Sequence, residues 1–163
     1  MSSTAISAQG SRFFINSADS GAQATWTPVR NLKSFSGFDG TASELDVTDL
    51  DSVAKEKMLG LVDNGSFSLD VNRNLKDPGQ AALKAAQVSS TLEQFKLRYP
   101  DGSTETFSAY VKSFPISGGV DAVMTSTVAL TISGAVVSAE TDDAVTSLSD
   151  EEAAAEAAAG GAQ

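Results

Sequence analysis

Phe95-Lys-Leu-Arg-Tyr-Pro-Asp-Gly102 and the residues that follow it, Ser103-Thr-Glu-Thr-Phe-Ser-Ala-Tyr-Val111, decide the fold class. Phe95, Leu97 and Tyr99 alternate with Lys96 and Arg98, and Phe107, Ala109 and Val111 repeat the alternation before Pro115. A period of two places the apolar side chains on one face of a strand. Between the runs, Pro100 presets φ and Gly102 accepts a positive φ, so residues 93–113 are predicted to form a β-hairpin.

The same period recurs on both sides of this hairpin. Phe67, Leu69 and Val71 alternate with Ser66, Ser68, Asp70 and Asn72. The longest uncharged run, Ala122 to Ala139, is interrupted by Ser and Thr, and it sets Val128, Leu130 and Ile132 against Thr127, Ala129 and Thr131. That pattern describes a strand with one buried face rather than a membrane-spanning helix. Phe13–Ile15 and Val29–Phe38 are further strand candidates, and Asn64-Gly65 reads as a hairpin turn joining a segment around Met58–Val62 to the strand at Ser66. One helix is signposted. Asp77 is the expected N-cap, Pro78 suits the first helical position, and Gln80 stands where it can reach back to the cap backbone. Ala81, Ala82, Leu83, Ala85 and Ala86 carry it towards Ser89 or Ser90, with Leu83 its only large apolar residue. The expected fold is mainly β, a β-sandwich or half-open barrel with one flanking α-helix.

A chain of 163 residues suits one domain with its own core. Its formal charge of −10 is unevenly placed: residues 140–163 hold seven acids and no base, whereas residues 1–139 are nearly balanced. The division expected is a β domain over 1–139 and an acidic, Ala-rich tail over 140–163. In that tail Ser149-Asp-Glu-Glu152 forms a capping box before the Ala run, too short for a stable isolated helix, so the tail is expected as a short helix or flexible. The first ten residues have neither a basic start nor an apolar stretch, so a secretory signal is not expected.

With no His and no Cys, Ser-His-Asp and Cys-His relays, His- or thiolate-ligated metals, disulfides and iron–sulfur clusters are excluded. Ser52-Val-Ala-Lys55 matches a Ser-x-x-Lys pattern without its companion motifs and is read as polar loop. Asp46, Asp49 and Asp51 lack the glycine and distal glutamate of an EF-hand and are read as a solvated or interface loop. Asn64-Gly65-Ser66 fits the glycosylation pattern but is read as the turn. No catalytic residue, cofactor or metal ligand is assigned. Scattered basic residues argue against general nucleic-acid binding, which needs clustered Lys and Arg. Gly40 to Gly60 has little core-forming periodicity, and loops of that length in compact domains are functional or disordered. Trp26 is read as a core or strand-edge anchor. This empty inventory favours a structural or interaction protein.

The order of motifs from Gly65 onward carries a resemblance. Gly65-Ser-Phe-Ser-Leu-Asp70, Asp77-Pro-Gly-Gln80 opening an Ala-rich helix, Phe95 to Gly102, Phe107-Ser-Ala-Tyr-Val111 and Val128-Ala-Leu-Thr-Ile-Ser-Gly134 together resemble the major tail tube proteins of long, flexible-tailed, lambda-like bacteriophages. The resemblance implies a virion tail protein, assembled in the host cytoplasm. It would polymerise as stacked hexameric rings around a channel for DNA ejection, with no membrane insertion. The implied partners are other copies of the chain, a tape measure protein, a tail terminator, tail-tip or baseplate proteins, and double-stranded DNA in transit. The stretch 40–62 takes the place of an inter-subunit arm. Its contact residues are expected to be Glu44, Asp46, Asp49, Leu50, Asp51, Lys55, Glu56, Lys57 and Met58. Ser66, Ser68, Asp70, Thr127 and Thr131 are candidates to face the lumen. Some relatives add an immunoglobulin-like domain where this sequence has only its acidic tail. Two other readings share the β architecture: the tube of a contractile tail or type VI secretion system, and a carbohydrate-binding module using Trp26 or Tyr99.

Overall fold

The computed structural model describes residues 5–18 and 22–140; the capping box and Ala-rich run of the acidic tail lie outside the described residues. The elements follow in the order β1 (Arg12–Asn16), β2 (Trp26–Val29), β3 (Leu32–Gly37), β4 (Thr41–Asp46), β5 (Lys57–Asp63), β6 (Ser66–Asn72), α1 (Pro78–Ser89), β7 (Leu92–Arg98), β8 (Thr104–Ser113), β9 (Thr125–Ile132) and β10 (Val137–Ala139). Eight strands form one antiparallel sheet in the order β2-β1-β7-β8-β9-β6-β3, with β10 also pairing β8.

The hairpin expected over 93–113 is β7–β8, with Phe95 opposite Phe107 and Gly102 at φ 94° in its turn. Alternation aims Phe95, Leu97, Phe107, Ala109, Val128 and Leu130 at one face, all of them buried. The sheet curls around that face. Phe13 of β1 stacks on Phe67 of β6 with ring centroids 5.6 Å apart, although three strands separate β1 from β6 in the sheet order. The result is the half-open barrel of the expected mainly β class. It does not close, since β2 and β3 remain at opposite edges of the sheet.

The helix lies against β1, β2 and β8 and delivers Leu83 and Ala86 to the core. The Asp77 side chain caps it, accepting from Gln80 N at 3.1 Å, and Pro78 opens it as expected. Gln80, however, does not bond back to the cap backbone. Its fully buried amide donates to the carbonyls of Arg30 and Asn72 and accepts from Asn74 N, all within 3.0 Å. The helix start abuts the β2–β3 turn so closely that a Cβ on Gly79 would stand 2.3 Å from Pro28 O. Buried backbone groups there need partners, and the Gln80 side chain supplies them.

Two local expectations are corrected. Val29–Phe38 is not one strand: Asn31 adopts φ 62°, a left-handed conformation that Asn tolerates, and separates β2 from β3. Asn64-Gly65 is not a hairpin turn, because β5 pairs with β4 while β6 pairs with β3 and β9. Gly65, at φ 73°, is instead the corner through which the chain re-enters the sheet.

Candidate inter-subunit surfaces

The stretch 40–62, expected as an irregular polar loop, is a β-hairpin. Leu45 stands opposite Met58 and Asp46 opposite Lys57, with a register shift between Ala42 and Glu44. That irregularity breaks the alternation and explains why the strands are hard to read in the sequence. β4 and β5 form their own two-stranded sheet, apart from the main one. The expected contact residues Glu44, Asp46, Asp49, Leu50, Asp51, Lys55, Glu56, Lys57 and Met58 are all exposed. Glu44 and Lys57 meet in an ion pair at 2.5 Å. The carboxylates of Asp46 and Asp49 bind local donors, Thr48 N for Asp46 and both Asp51 N and Ser52 Oγ for Asp49. They shape the tip, and no cluster of three acids able to hold a metal ion occurs among the described residues.

Of the arm's apolar side chains the expected set held only Leu50 and Met58. Leu59 and Leu61 are 71% and 94% exposed, and Leu45, Val53 and Val62 are exposed with them. An isolated two-stranded hairpin is marginally stable in water, and a contiguous exposed apolar surface marks an interaction site. The arm therefore looks incomplete until something covers it.

Its root is built to hold one direction. Asp39 Oδ1 accepts from Ser66 N at 2.9 Å, and this backbone hydrogen bond leads in holding the Asp39 carboxyl below the usual carboxylate range. Gly65 N donates to Asp63 Oδ1, and Asn64 Nδ2 to Gly134 O. A Cβ at Gly65 would meet Asp39 Oδ1 at 2.3 Å, and one at Gly40 would overlap Asp63 O.

The second surface is the outer face of β3, β6 and β9. The structure brings all five expected residues onto it: Ser66 pairs with Thr131 and Asp70 with Thr127, with Ser68 between them opposite Ala129. Each lies between core residues of the opposite face, such as Phe67, Leu69, Val128 and Leu130. Ser34 and Ser36 of β3, opposite Asp70 and Ser68, extend the same face. Their alternation about Phe35 was the available signal. Asp70 accepts from Thr127 at 2.6 Å and from Ser34 at 2.8 Å. These two bonds, with the nearby Lys33 charge, lower its pKa and keep it ionised. The face is thus polar and weakly acidic.

The aromatic residues of the carbohydrate reading are engaged otherwise. Lys96 Nζ lies 4.5 Å from the centroid of the half-buried Trp26 ring, so a cation already covers one face of the indole. Tyr99 packs at 6.5 Å from Phe35, and burial followed by the Glu105 charge pushes its hydroxyl pKa up. Among the described residues no helix is long and apolar enough to cross a membrane.

Comparison with known proteins agrees with this architecture. Residues 14–139 match the family model of the lambda phage tail tube protein, TTP. No curated protein matches significantly. Among solved structures, the SPP1 tail tube superposes with a TM-score of 0.66 at 18% identity, covering 85% of this chain and 81% of that one. The virion of a native gene transfer agent particle gives 0.60 at 16% identity, over 78% and 95% of the two chains. The sheath–tube complex of PVC, an extracellular contractile injection system, gives 0.62 at 14% identity, over 83% and 92%. At these identities the structural likenesses speak for the fold alone.

Proposed function

The chain belongs to the lambda phage tail tube protein family and is a structural component of the virion tail, and from that membership we propose that it polymerises as stacked hexameric rings whose bore conducts double-stranded DNA. The observation that carries this reading is the arm. A domain with its own core projects a hairpin whose large apolar side chains stand exposed among the described residues. Neighbouring copies cover them, and the residues expected on the arm, Glu44 to Met58, become inter-subunit contacts. The tail of a gene transfer agent particle with which this fold superposes was refined with C6 symmetry, which supports the ring size proposed here.

The polar face of β3, β6 and β9 lines the bore in this reading. Ser, Thr and an ionised Asp70 offer no clustered cations to hold phosphates, so DNA slides without being trapped. The unpaired edge of β3 continues the sheet into the neighbouring subunit, which removes the liability of an open edge. The chain acts as a conduit and has no enzymatic role. A tape measure protein occupies the bore during assembly in the host cytoplasm, and terminator and tail-tip proteins close the two ends. Residues 1–139 form the tube-building domain, and the seven acids of residues 140–163 add repulsion between finished tubes.

Electron microscopy of the purified protein, with and without a tail initiator complex, tests the proposal. Hollow tubes of uniform width are expected. A protein that stays monomeric in every condition overturns it.

A further inference from the structure

Asn64-Gly65, the corner between β5 and β6, is the chain's only Asn-Gly pair: Asn16, Asn31, Asn72 and Asn74 are followed by Ser, Leu, Arg and Leu. The difference is chemical. A backbone nitrogen can attack the side-chain amide carbon of a preceding asparagine and close a five-membered imide, and a following glycine, having no Cβ, hinders that ring closure least. The pair lies at the arm root beside a solvent-open cavity of ≈490 Å³, lined in part by Val62, Asp63, Ile132 and Gly134.

The fold ties the two reacting groups to different partners. Asn64 Nδ2 donates to Gly134 O, 70 residues along the chain. Gly65 N donates to Asp63 Oδ1 at 2.9 Å, and Gly65 O accepts from Ile132 N at 3.1 Å. Cyclisation requires Gly65 N to shed its proton and to approach Asn64 Cγ in one orientation. The Asp63 carboxylate opposes the first step, because a like charge beside the nitrogen disfavours its anion. The Gly134 bond opposes the second by holding the Asn64 side chain towards the β9–β10 turn. Gly65 has little room to shift, since even a Cβ there would stand 2.3 Å from Asp39 Oδ1 and 3.1 Å from Gly40 N. The arm itself is lightly fastened: β4 and β5 pair only with each other, and segments with few buried apolar contacts open locally at low cost.

We propose that Asn64-Gly65 is a modification site, held in check while the arm root is closed and released when the root opens. In the open root a buffer base takes the Gly65 amide proton, the nitrogen bonds to Asn64 Cγ, and the Cγ–Nδ2 bond breaks with Nδ2 leaving as ammonia. Water then opens the imide. Cleavage of its nitrogen–Cγ bond leaves an aspartyl residue at position 64; cleavage of its bond to the backbone carbonyl leaves an isoaspartyl residue, with an extra methylene in the main chain. Either product replaces the donor facing Gly134 O with a carboxylate, close to those of Asp63 and Asp39. The root therefore does not re-form as before, and a subunit whose root has opened is marked irreversibly. This chemistry needs only one folded chain and stands apart from the tube reading.

Incubating the full chain in mildly alkaline buffer, folded and in guanidinium, tests this, with peptide mapping to resolve aspartyl and isoaspartyl products at position 64. Attack on a transiently opened segment tracks its open population, so the folded chain is expected to react at least about tenfold more slowly than the unfolded one. Asp63→Ala removes the partner of the Gly65 amide and should narrow that ratio at least about threefold, with circular dichroism checking that the body stays folded. A second measurement uses the unmodified chain alone. Low denaturant that speeds hydrogen exchange of the Gly65 amide should speed product formation in proportion. A folded chain that reacts as fast as the unfolded one, an unfolded chain that gives no product, a ratio unmoved by Asp63→Ala, or product formation that does not follow Gly65 exchange overturns the proposal.

Discussion

The β7–β8 hairpin buries Phe95, Leu97, Phe107 and Ala109 to within 2% exposure, whereas the β4–β5 hairpin leaves Leu59 71% and Leu61 94% exposed. The two are built from comparable strands and close with polar turns, yet their apolar side chains do opposite work. In β7–β8 they alternate and meet β1, β6 and β9 around one core, so the hairpin belongs to folding. In β4–β5 they lie exposed on a bulged ribbon outside the main sheet, the hairpin proposed above to serve association. An exposed leucine carries little stability in the monomer and much in the polymer, because burial contributes only where water is removed.

Excising the arm separates these roles most sharply. Joining Gly40 to Asn64 in place of residues 41–63 is expected to abolish tubes entirely while shifting unfolding by less than about 1 kcal/mol, since no large apolar side chain of the arm is buried. Urea unfolding and electron microscopy of the same preparation give both readings. Unimpaired tubes would show that β4–β5 is ornamental and would break the comparison.

Next in size is a truncation in the other hairpin. The Phe107 ring stands 5.2 Å from Phe67 and from Phe38 and 5.8 Å from Phe95. Phe107→Ala should cost about 3–5 kcal/mol by denaturant unfolding, through lost burial and the cavity left behind. Leu61→Ala, on the arm, should change the same measurement by less than about 0.5 kcal/mol. Similar costs at both sites would mean the arm packs on its own subunit in solution.

A smaller effect is expected at the helix start. Gln80→Ala strips three backbone groups, Arg30 O, Asn72 O and Asn74 N, of their side-chain partner. Each unsatisfied buried group costs about 1–3 kcal/mol, and water entering the space left by the side chain offsets part of that, so a net loss of about 2 kcal/mol is expected. Thermal unfolding measures it.

The legible part of this molecule was the part ruled by local periodicity. Phe67-Leu69-Val71, Val128-Leu130-Ile132 and the Phe95 to Val111 hairpin announced their strands and their buried face, and Asp77-Pro78 announced the helix. The same alternation delivered the polar face, since fixing Leu69 and Val128 inward fixes Asp70 and Thr127 outward. Illegible were features that depend on partners distant in sequence. Gln80 looks like a capping residue until the β2–β3 turn is folded against it. Asn64-Gly65 looks like a hairpin turn until β6 is seen to choose β3 and β9 over β5. The arm hides for a related reason: its bulge disrupts the period of two, and its apolar residues do not join the core, so no core pattern marks them. Arg30, Arg73 and the β8–β9 residue Met124 come from separate connections, and only the folded sheet brings those connections together.

Acid offers the gentlest way to test the joint between body and arm. The sequence has no His, so between pH 7 and pH 5 little titrates and stability should be flat. Asp39 and Asp70 both have pKa values lowered from 3.8, Asp39 chiefly by the Ser66 backbone donor and Asp70 chiefly by Thr127. A carboxyl whose folded pKa lies below its unfolded value stabilises the fold above the unfolded value, and that contribution fades as pH falls through the folded one. Loss should therefore begin only below about pH 4. Asp39 sits at the arm root and Asp70 within the main sheet, so the arm root and the polar sheet face should respond separately. Hydrogen exchange at the Ser66 amide, corrected for intrinsic rate, should rise below pH 4 in the unmodified chain. In Asp39→Asn, which retains an acceptor but cannot ionise, that rise should vanish while the response around Thr127 persists. A Ser66 amide equally protected at pH 3 and pH 6 would mean that Asp39 does not tie the arm to the sheet, and that Gly40, Gly65 and the Asp63 and Asn64 hydrogen bonds set its direction.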